Sequence, residues 1–229
     1  MIQDKAGHKL GRVNGKMVNE IPGANFEIVM SDAPLDTAES QIEPTYYVPA
    51  DLDLTITVDG SNLKEKTQTN VVVIGPGYDL GVENIGLEPK QKDTLLVFPK
   101  TKSISYKTTS SESPDFIVGV QREGADYEFT IKGAAMDGGG TLSVNLDEAK
   151  GLISVNAADI KTDAKVSFIM NRIDDKTEET FENDQVTLKA GDSLNMDYGK
   201  WKGNGQPIEM TVTDAKGTVL DTYSSADEK

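Results

Sequence analysis

The sequence predicts an all-β protein made of two antiparallel β-sandwich domains in tandem, each of the immunoglobulin-like class. Three observations predict this fold class. Apolar residues recur at every second position, the intervening turns carry Asn-Gly and Asp-Gly pairs, and no long stretch shows the 3.6-residue period of an amphipathic helix. The length of 229 residues suits two domains of roughly 100 residues each.

The alternation of apolar and polar residues is clearest in five segments. In the first of them Leu54 and Ile56 alternate with Thr55 and Thr57. Such a strand turns one face toward a core and the other toward water, as antiparallel sheets require. The five segments are residues 52–58, 127–131, 142–146, 166–170 and 208–212.

The turns agree with this pattern of strands. Asn14-Gly15 predicts a two-residue hairpin of type I′, because both positions need a positive φ. Residues 214–217 predict a second hairpin near the C-terminus, and their Asp-x-x-Gly pattern matches residues 4–7. Two interpretations of this match stay open: reuse of a common turn, or a start part-way through a strand of a longer protein.

A domain boundary is expected between residues 89 and 103. Pro89 and Pro99 are each followed by lysines, and they flank the apolar segment 95–98. Proline is typical of linkers and turns rather than of central strands. We therefore expect one sandwich over residues 1–98 and a second over residues 99–229.

Charge and cysteine content exclude several function classes. The chain has 23 basic and 38 acidic residues, and its net charge of −15 would repel nucleic acid and anionic membranes. It has no cysteine, which excludes disulfides and thiolate metal sites. A catalytic histidine could only be His8, the single histidine of the sequence. No apolar run reaches the ~18 residues of a membrane-spanning helix.

Two motifs imitate enzyme signatures but lack the partners that the chemistry needs. In residues 71–81 an apolar segment is followed by glycines, as in a dinucleotide-binding fold. However, Gly86 and Pro89 interrupt the helix that would hold a pyrophosphate. Residues 191–194 spell Gly-Asp-Ser-Leu, the signature of a hydrolase family in which this serine is the nucleophile. Ser193 is followed by no histidine, and a serine without a base is a poor nucleophile. We expect no enzymatic activity.

The N-terminal segment resembles β-modules of large secreted or cell-surface bacterial proteins. The resemblance rests on Asp4-x-x-Gly7, on Gly11-Arg12 and on the Asn-Glu-Ile-Pro-Gly-Ala segment at residues 19–24. It implies an extracellular or cell-surface location and a place among other domains of a longer chain. It implies no activity.

Candidate binding residues occur in two places. Acidic residues crowd residues 174–184, and their oxygens are the ligands that calcium prefers, so Asp174, Asp175, Glu182 and Asp184 are candidate ligands of a structural calcium ion. No other cofactor is expected. Tyr198 and Trp201 lie in a glycine-rich loop, where aromatic rings could stack on a sugar or anchor a partner. The alternatives are a solvated acidic loop and an aromatic plug of the core.

These observations together predict a non-catalytic structural or adhesive module. Its expected partners are neighbouring domains of the same chain or a surface protein, with a glycan as a further option. A carbohydrate-binding accessory module and a component of a phage or secretion apparatus remain as alternatives.

Overall fold

The computed structural model describes residues 1–28, 43–157 and 159–227, and these residues form an all-β structure, as predicted. Its strands build two large, open antiparallel sheets and one small two-stranded sheet. The described residues also contain two short 3-10 helices, Pro99–Thr101 and Tyr198–Lys200. The strands are β1 (Ile2–Asp4), β2 (Lys9–Val13), β3 (Lys16–Asn19), β4 (Asn25–Glu27), β5 (Thr45–Tyr47), β6 (Leu54–Asp59), β7 (Thr67–Gly75), β8 (Tyr78–Leu87), β9 (Lys92–Phe98), β10 (Ser103–Lys107), β11 (Asp115–Arg122), β12 (Ala125–Lys132), β13 (Thr141–Asp147), β14 (Leu152–Asn156), β15 (Ala164–Ile173), β16 (Glu178–Leu188), β17 (Ser193–Asp197), β18 (Ile208–Thr213) and β19 (Val219–Ser225).

Apart from residues 52 and 53, the alternating segments lie in strands, as the sequence predicts. In β12, Phe129 and Ile131 are fully buried, whereas Glu128 and Lys132 on either side of them are exposed. The predicted Asn14-Gly15 turn joins β2 to β3, and its residues have φ values of 50° and 77°. Both the period of two and the turn chemistry therefore predict the local structure correctly.

The chain fills the two large sheets by alternating between them. The order is β19-β18-β17-β14-β13-β10-β9-β6-β1-β2-β3 in the eleven-stranded sheet and β16-β15-β12-β11-β8-β7 in the six-stranded sheet. From β7 onward, two strands enter the smaller sheet and the next two enter the larger sheet. This pattern occurs three times, in β7–β10, β11–β14 and β15–β18. We call each set a four-strand unit.

The four-strand units share one hydrophobic core between the two large sheets. A single cluster of buried side chains extends from Ile2 in β1 to Val212 in β18. Aromatic side chains contact each other across the sheets; the rings of Tyr106 in β10 and Phe116 in β11 meet edge to face at 6.4 Å. The sandwich is therefore packed continuously along its length.

Strand pairing crosses the expected domain boundary at residues 98 and 99. β9 pairs with β10 along its length, and β8 pairs with β11 in the other sheet. The Pro-Lys segment that suggested a linker forms the tight turn between β9 and β10, where Lys102 has a φ of 45°. Proline is typical of turns as well as of linkers, which explains the expectation. A division into two immunoglobulin-like domains is not confirmed.

The two Asp-x-x-Gly turns share a hydrogen bond from a backbone amide to the aspartate carboxylate. In the β1–β2 turn, the amide of His8 donates to the Asp4 carboxylate at 2.9 Å, and in the β18–β19 turn the amide of Thr218 donates to Asp214 at 2.8 Å. The glycine of each turn has a positive φ, 89° at Gly7 and 80° at Gly217. The match seen in the sequence is thus a shared turn structure.

Candidate functional site

A cleft of about 470 Å³ opens at one end of the sandwich. It lies where the β11–β12 and β13–β14 turns meet the segment that follows β17, and we call this end the hairpin end. Loops at the ends of a sandwich are the usual place for binding residues, because the sheets hold them in position. Its walls comprise Arg122, Glu123, Gly124, Ala125, Tyr127, Ala149, Lys150, Gly151, Arg172, Asp197, Gly199 and Lys200.

Two arginines of the cleft occupy positions that the strand pattern assigns to the core. In β11 the inward-facing residues Phe116, Val118 and Val120 are buried, and Arg122 is the next residue in that alternation. In β15, Arg172 follows buried Met170 in the same way. Side chains alternate between the two faces of a strand, so both arginines enter the space between the sheets.

Carboxylates neutralise three of the four cations in the cleft. A guanidinium nitrogen of Arg172 lies 2.9 Å from both Asp174 and Glu179. Likewise, the ammonium groups of the two lysines pair with the aspartate three residues earlier in the chain. These pairs are Lys150–Asp147 at 2.8 Å and Lys200–Asp197 at 2.6 Å.

Arg122 differs from these three cations in its partners. Within the part of the chain that the structure describes, its guanidinium makes no ion pair, and it donates a long hydrogen bond of 3.4 Å to the hydroxyl of Tyr198. Its carbon also lies 5.8 Å from the centre of the Tyr198 ring, a cation–π contact. Two contacts with one tyrosine hold this half-buried arginine at the cleft.

Aromatic rings pack together next to Arg122, and one of them, Tyr127, lines the cleft. Tyr198 is 2% exposed, and its ring lies 4.9 Å from the rings of both Tyr127 and Phe129. Burial raises the pKa of Tyr198 to about 12, although the nearby Arg122 opposes the shift. The hydroxyl of Tyr198 therefore stays protonated at physiological pH.

Two glycines let the turns of the cleft approach each other. The amide of Gly199 donates to the carbonyl of Gly151 at 2.9 Å. A β-carbon on Gly151 would lie 2.6 Å from the α-carbon of Gly199, closer than such atoms can stand. The contact joins the second and third four-strand units in the lining of the cleft.

The predicted ligand-binding aromatics pack against the core rather than standing exposed on a loop. Tyr198 is buried, and its hydroxyl reaches Arg122. Trp201 is partly buried: its ring meets Phe181 edge to face at 6.5 Å, and its indole N–H donates to the carbonyl of Gln206 at 2.9 Å. Both rings pack against the core, which agrees with the alternative of an aromatic plug.

The predicted calcium ligands are distributed along the β15–β16 hairpin. Asp174 and Asp175 lie in its turn, where Asp174 accepts hydrogen bonds from the amides of Lys176 and Thr177. Glu182 and Asp184 lie within β16, and a strand rises about 3.3 Å per residue, which places them more than about 10 Å beyond the turn. The four side chains do not converge, and no cluster of three or more candidate ligands occurs among residues 1–28, 43–157 and 159–227.

The structure also shows where the two motifs that resemble enzyme signatures lie. Gly75 and Gly77 belong to the β7–β8 hairpin, which confirms a turn between strands. Ser193 begins β17, whereas His8 lies in the β1–β2 turn and binds Asp4. Six strand spacings of about 4.8 Å separate β17 from β1 in the larger sheet, so Ser193 and His8 are far outside hydrogen-bond reach of each other.

Comparison with protein-family models, with curated proteins and with solved structures gave no match. No helix in the described ranges is long and apolar enough to span a membrane.

The arginines of the cleft are the functional candidates that the sequence analysis missed. Arg122 and Arg172 are fifty residues apart and belong to no short motif. Each is visible, however, as a charged residue at an inward position of an alternating strand. In the six-stranded sheet β12 lies between β11 and β15 and is antiparallel to both, so Arg122 and Arg172, near the C-terminal ends of their strands, lie at the same end of the sheet.

Proposed function

We propose that this chain is a non-catalytic structural or adhesive module of a secreted or cell-surface bacterial protein. The observation that carries the proposal is the sandwich of three four-strand units with one continuous core. Each unit adds to the sheets of the previous one, an arrangement that suits a spacer, because the length grows with the number of units. The secreted setting is supported by the N-terminal turn motif.

The separation of Ser193 from His8 supports the non-catalytic part of the proposal. A serine nucleophile needs a base within hydrogen-bond reach, and the only histidine of the chain lies at the other end of the larger sheet. We expect purified protein to hydrolyse simple ester substrates no faster than buffer. An activity that disappears in Ser193→Ala would contradict the proposal.

A mechanical role can be tested by pulling the two ends of the chain apart. We expect discrete force peaks, because hydrogen-bonded strands and a shared core must break together. A matched variant, Phe129→Ala, removes a fully buried ring from the core and should lower the peak force. Extension of the wild-type chain without any force peak would contradict the structural role.

A further inference from the structure

The cleft at the hairpin end supports a binding role in addition to the proposed structural role. The structural role does not depend on this binding. Arg122 and Arg172 occupy inward positions at which a strand normally places an apolar residue. The chain has a net charge of −15, so a site with four cationic side chains is unusual on its surface. We propose that this cleft binds an acidic sugar of the uronate type, with the sugar carboxylate held by Arg122.

The free charge of Arg122 argues for an anionic ligand. Its neighbours Lys150, Arg172 and Lys200 each have a carboxylate within 3 Å, whereas the described residues supply none to Arg122. A guanidinium offers paired N–H donors that match the two oxygens of a carboxylate. A ligand carboxylate would complete the pairing that the protein leaves open.

The carboxylates around the cleft favour a ligand that has a single negative charge and hydroxyl groups beside it. Glu123 and Asp197 line the cleft; because Asp197 is paired with Lys200, the Glu123 carboxylate supplies the repulsion that a phosphate dianion would meet. Sugar hydroxyls can donate to these same oxygens. The half-buried ring of Tyr127 gives an apolar surface of the kind on which a sugar face can pack. A uronate combines one carboxylate, several hydroxyls and such a face.

Titration calorimetry on the full chain tests the ligand class. Methyl glucuronoside is the probe, methyl glucoside is its neutral match, and succinate supplies carboxylates without a sugar ring. We expect binding of the glucuronoside, at least tenfold weaker binding of the glucoside, and weaker binding of succinate than of the glucuronoside. Equal affinity for the two glycosides, or tighter binding of succinate, would overturn the proposal, and so would no binding of the glucuronoside.

Variants locate the site. Arg122→Gln should weaken glucuronoside binding by about tenfold or more, because a charge-assisted hydrogen bond is lost. Arg12→Gln is the matched control: Arg12 lies in β2, where Glu43 is 3.9 Å away, and the affinity should be unchanged. Unchanged binding in Arg122→Gln would place the ligand elsewhere and contradict the assignment.

A measurement on the wild-type chain covers the case in which Arg122→Gln does not fold. The glucuronoside should shift the NMR amide signals of Gly124, Gly151 and Gly199, which line the cleft. The amide of Gly217, in the β18–β19 turn, should not move. Shifts confined to residues outside the cleft would overturn the proposal, whereas the role as a structural module would be unaffected.

Discussion

Gly151 and Gly199 lie in direct backbone contact, and both line the cationic cleft. Gly151 has a φ of 66°, and a β-carbon on it would lie 2.6 Å from the α-carbon of Gly199. One position thus needs glycine for two separate reasons, conformation and space.

Replacing Gly151 with alanine should therefore destabilise the protein more than a positive φ alone explains. Gly133→Ala is the matched control, because Gly133 has a φ of 71° and a β-carbon added there would meet no atom within 4 Å. We expect the control to lose about 1–2 kcal/mol from left-handed strain. Gly151→Ala should lose about 1–3 kcal/mol more from overpacking. Urea unfolding measures both, and equal losses would contradict the importance of the contact.

A buried carboxylate in β9 accepts hydrogen bonds from the segment that joins β10 to β11. Asp93 is fully buried and accepts hydrogen bonds from the side-chain amide of Gln91 at 2.6 Å and from the amide of Thr109 at 2.8 Å. The hydroxyl of Thr109 also donates to Asp93 at 3.1 Å, and we expect Asp93→Ala to cost about 2–4 kcal/mol, because these three donors lose their acceptor. Asp126→Ala, at an exposed position of β12, should change the free energy of unfolding by less than about 0.5 kcal/mol. Similar losses in the two variants would refute this role for Asp93.

Acid should weaken the fold through aspartates that accept hydrogen bonds in turns. The amides of Lys176 and Thr177 lower the pKa of Asp174 to about 2. Because the folded-state pKa lies below the unfolded value of about 3.9, the contribution of Asp174 is present above that value and is lost as the pH falls toward 2. The urea midpoint should fall over this window, and it should fall less steeply in Asp174→Asn. An identical pH profile for the variant would show that Asp174 does not contribute.

Asp79 should have the opposite effect on stability to Asp174, because its ionised form destabilises the fold. Its pKa is raised by burial and by the nearby Glu128, so its ionised form is disfavoured in the folded state. The loss of stability from ionising Asp79 is absent below its pKa in the unfolded chain. It appears as the pH rises through the window between the unfolded-state pKa and the folded-state pKa. We expect Asp79→Asn to raise the urea midpoint at pH 7 relative to wild type, and to raise it less at pH 3. A lower midpoint at pH 7 would contradict this explanation.

The β7 edge of the six-stranded sheet should make the protein prone to association. β7 has nine residues without a charge, and Ile74 on it is 81% exposed. An uncharged edge strand is a template for pairing with another chain. Ile74→Lys should reduce light scattering during heating, whereas Ile74→Val should leave it unchanged. Equal scattering from all three proteins would place the association surface elsewhere.

Local structure could be predicted from the sequence, but the arrangement of the strands could not. Period-two alternation identifies β12, and the Asn14-Gly15 pair identifies the β2–β3 turn, because both signals act between neighbouring residues. The Pro99 segment was ambiguous, since a proline begins a tight turn as readily as it begins a linker. Only the pairing of β9 with β10 distinguishes the two.

The cleft, like the arrangement of the strands, could not be predicted from the sequence. Tyr198 stands out in the sequence as an aromatic residue in a glycine-rich loop, but its burial depends on Tyr127 and Phe129 from another sheet. Arg122 approaches Tyr198 although 76 positions separate them in the chain. Contacts at such separations follow from the repeated alternation between sheets, which single-segment patterns do not contain.

The continuity of the sandwich is tested most directly by urea unfolding followed with two probes. Trp201, the only tryptophan, reports on the third four-strand unit through fluorescence, and far-ultraviolet circular dichroism reports on all strands. A core shared from Ile2 to Val212 predicts a single transition with the same midpoint for both probes. Two circular dichroism transitions, of which tryptophan fluorescence follows only one, would contradict it and favour two independent domains.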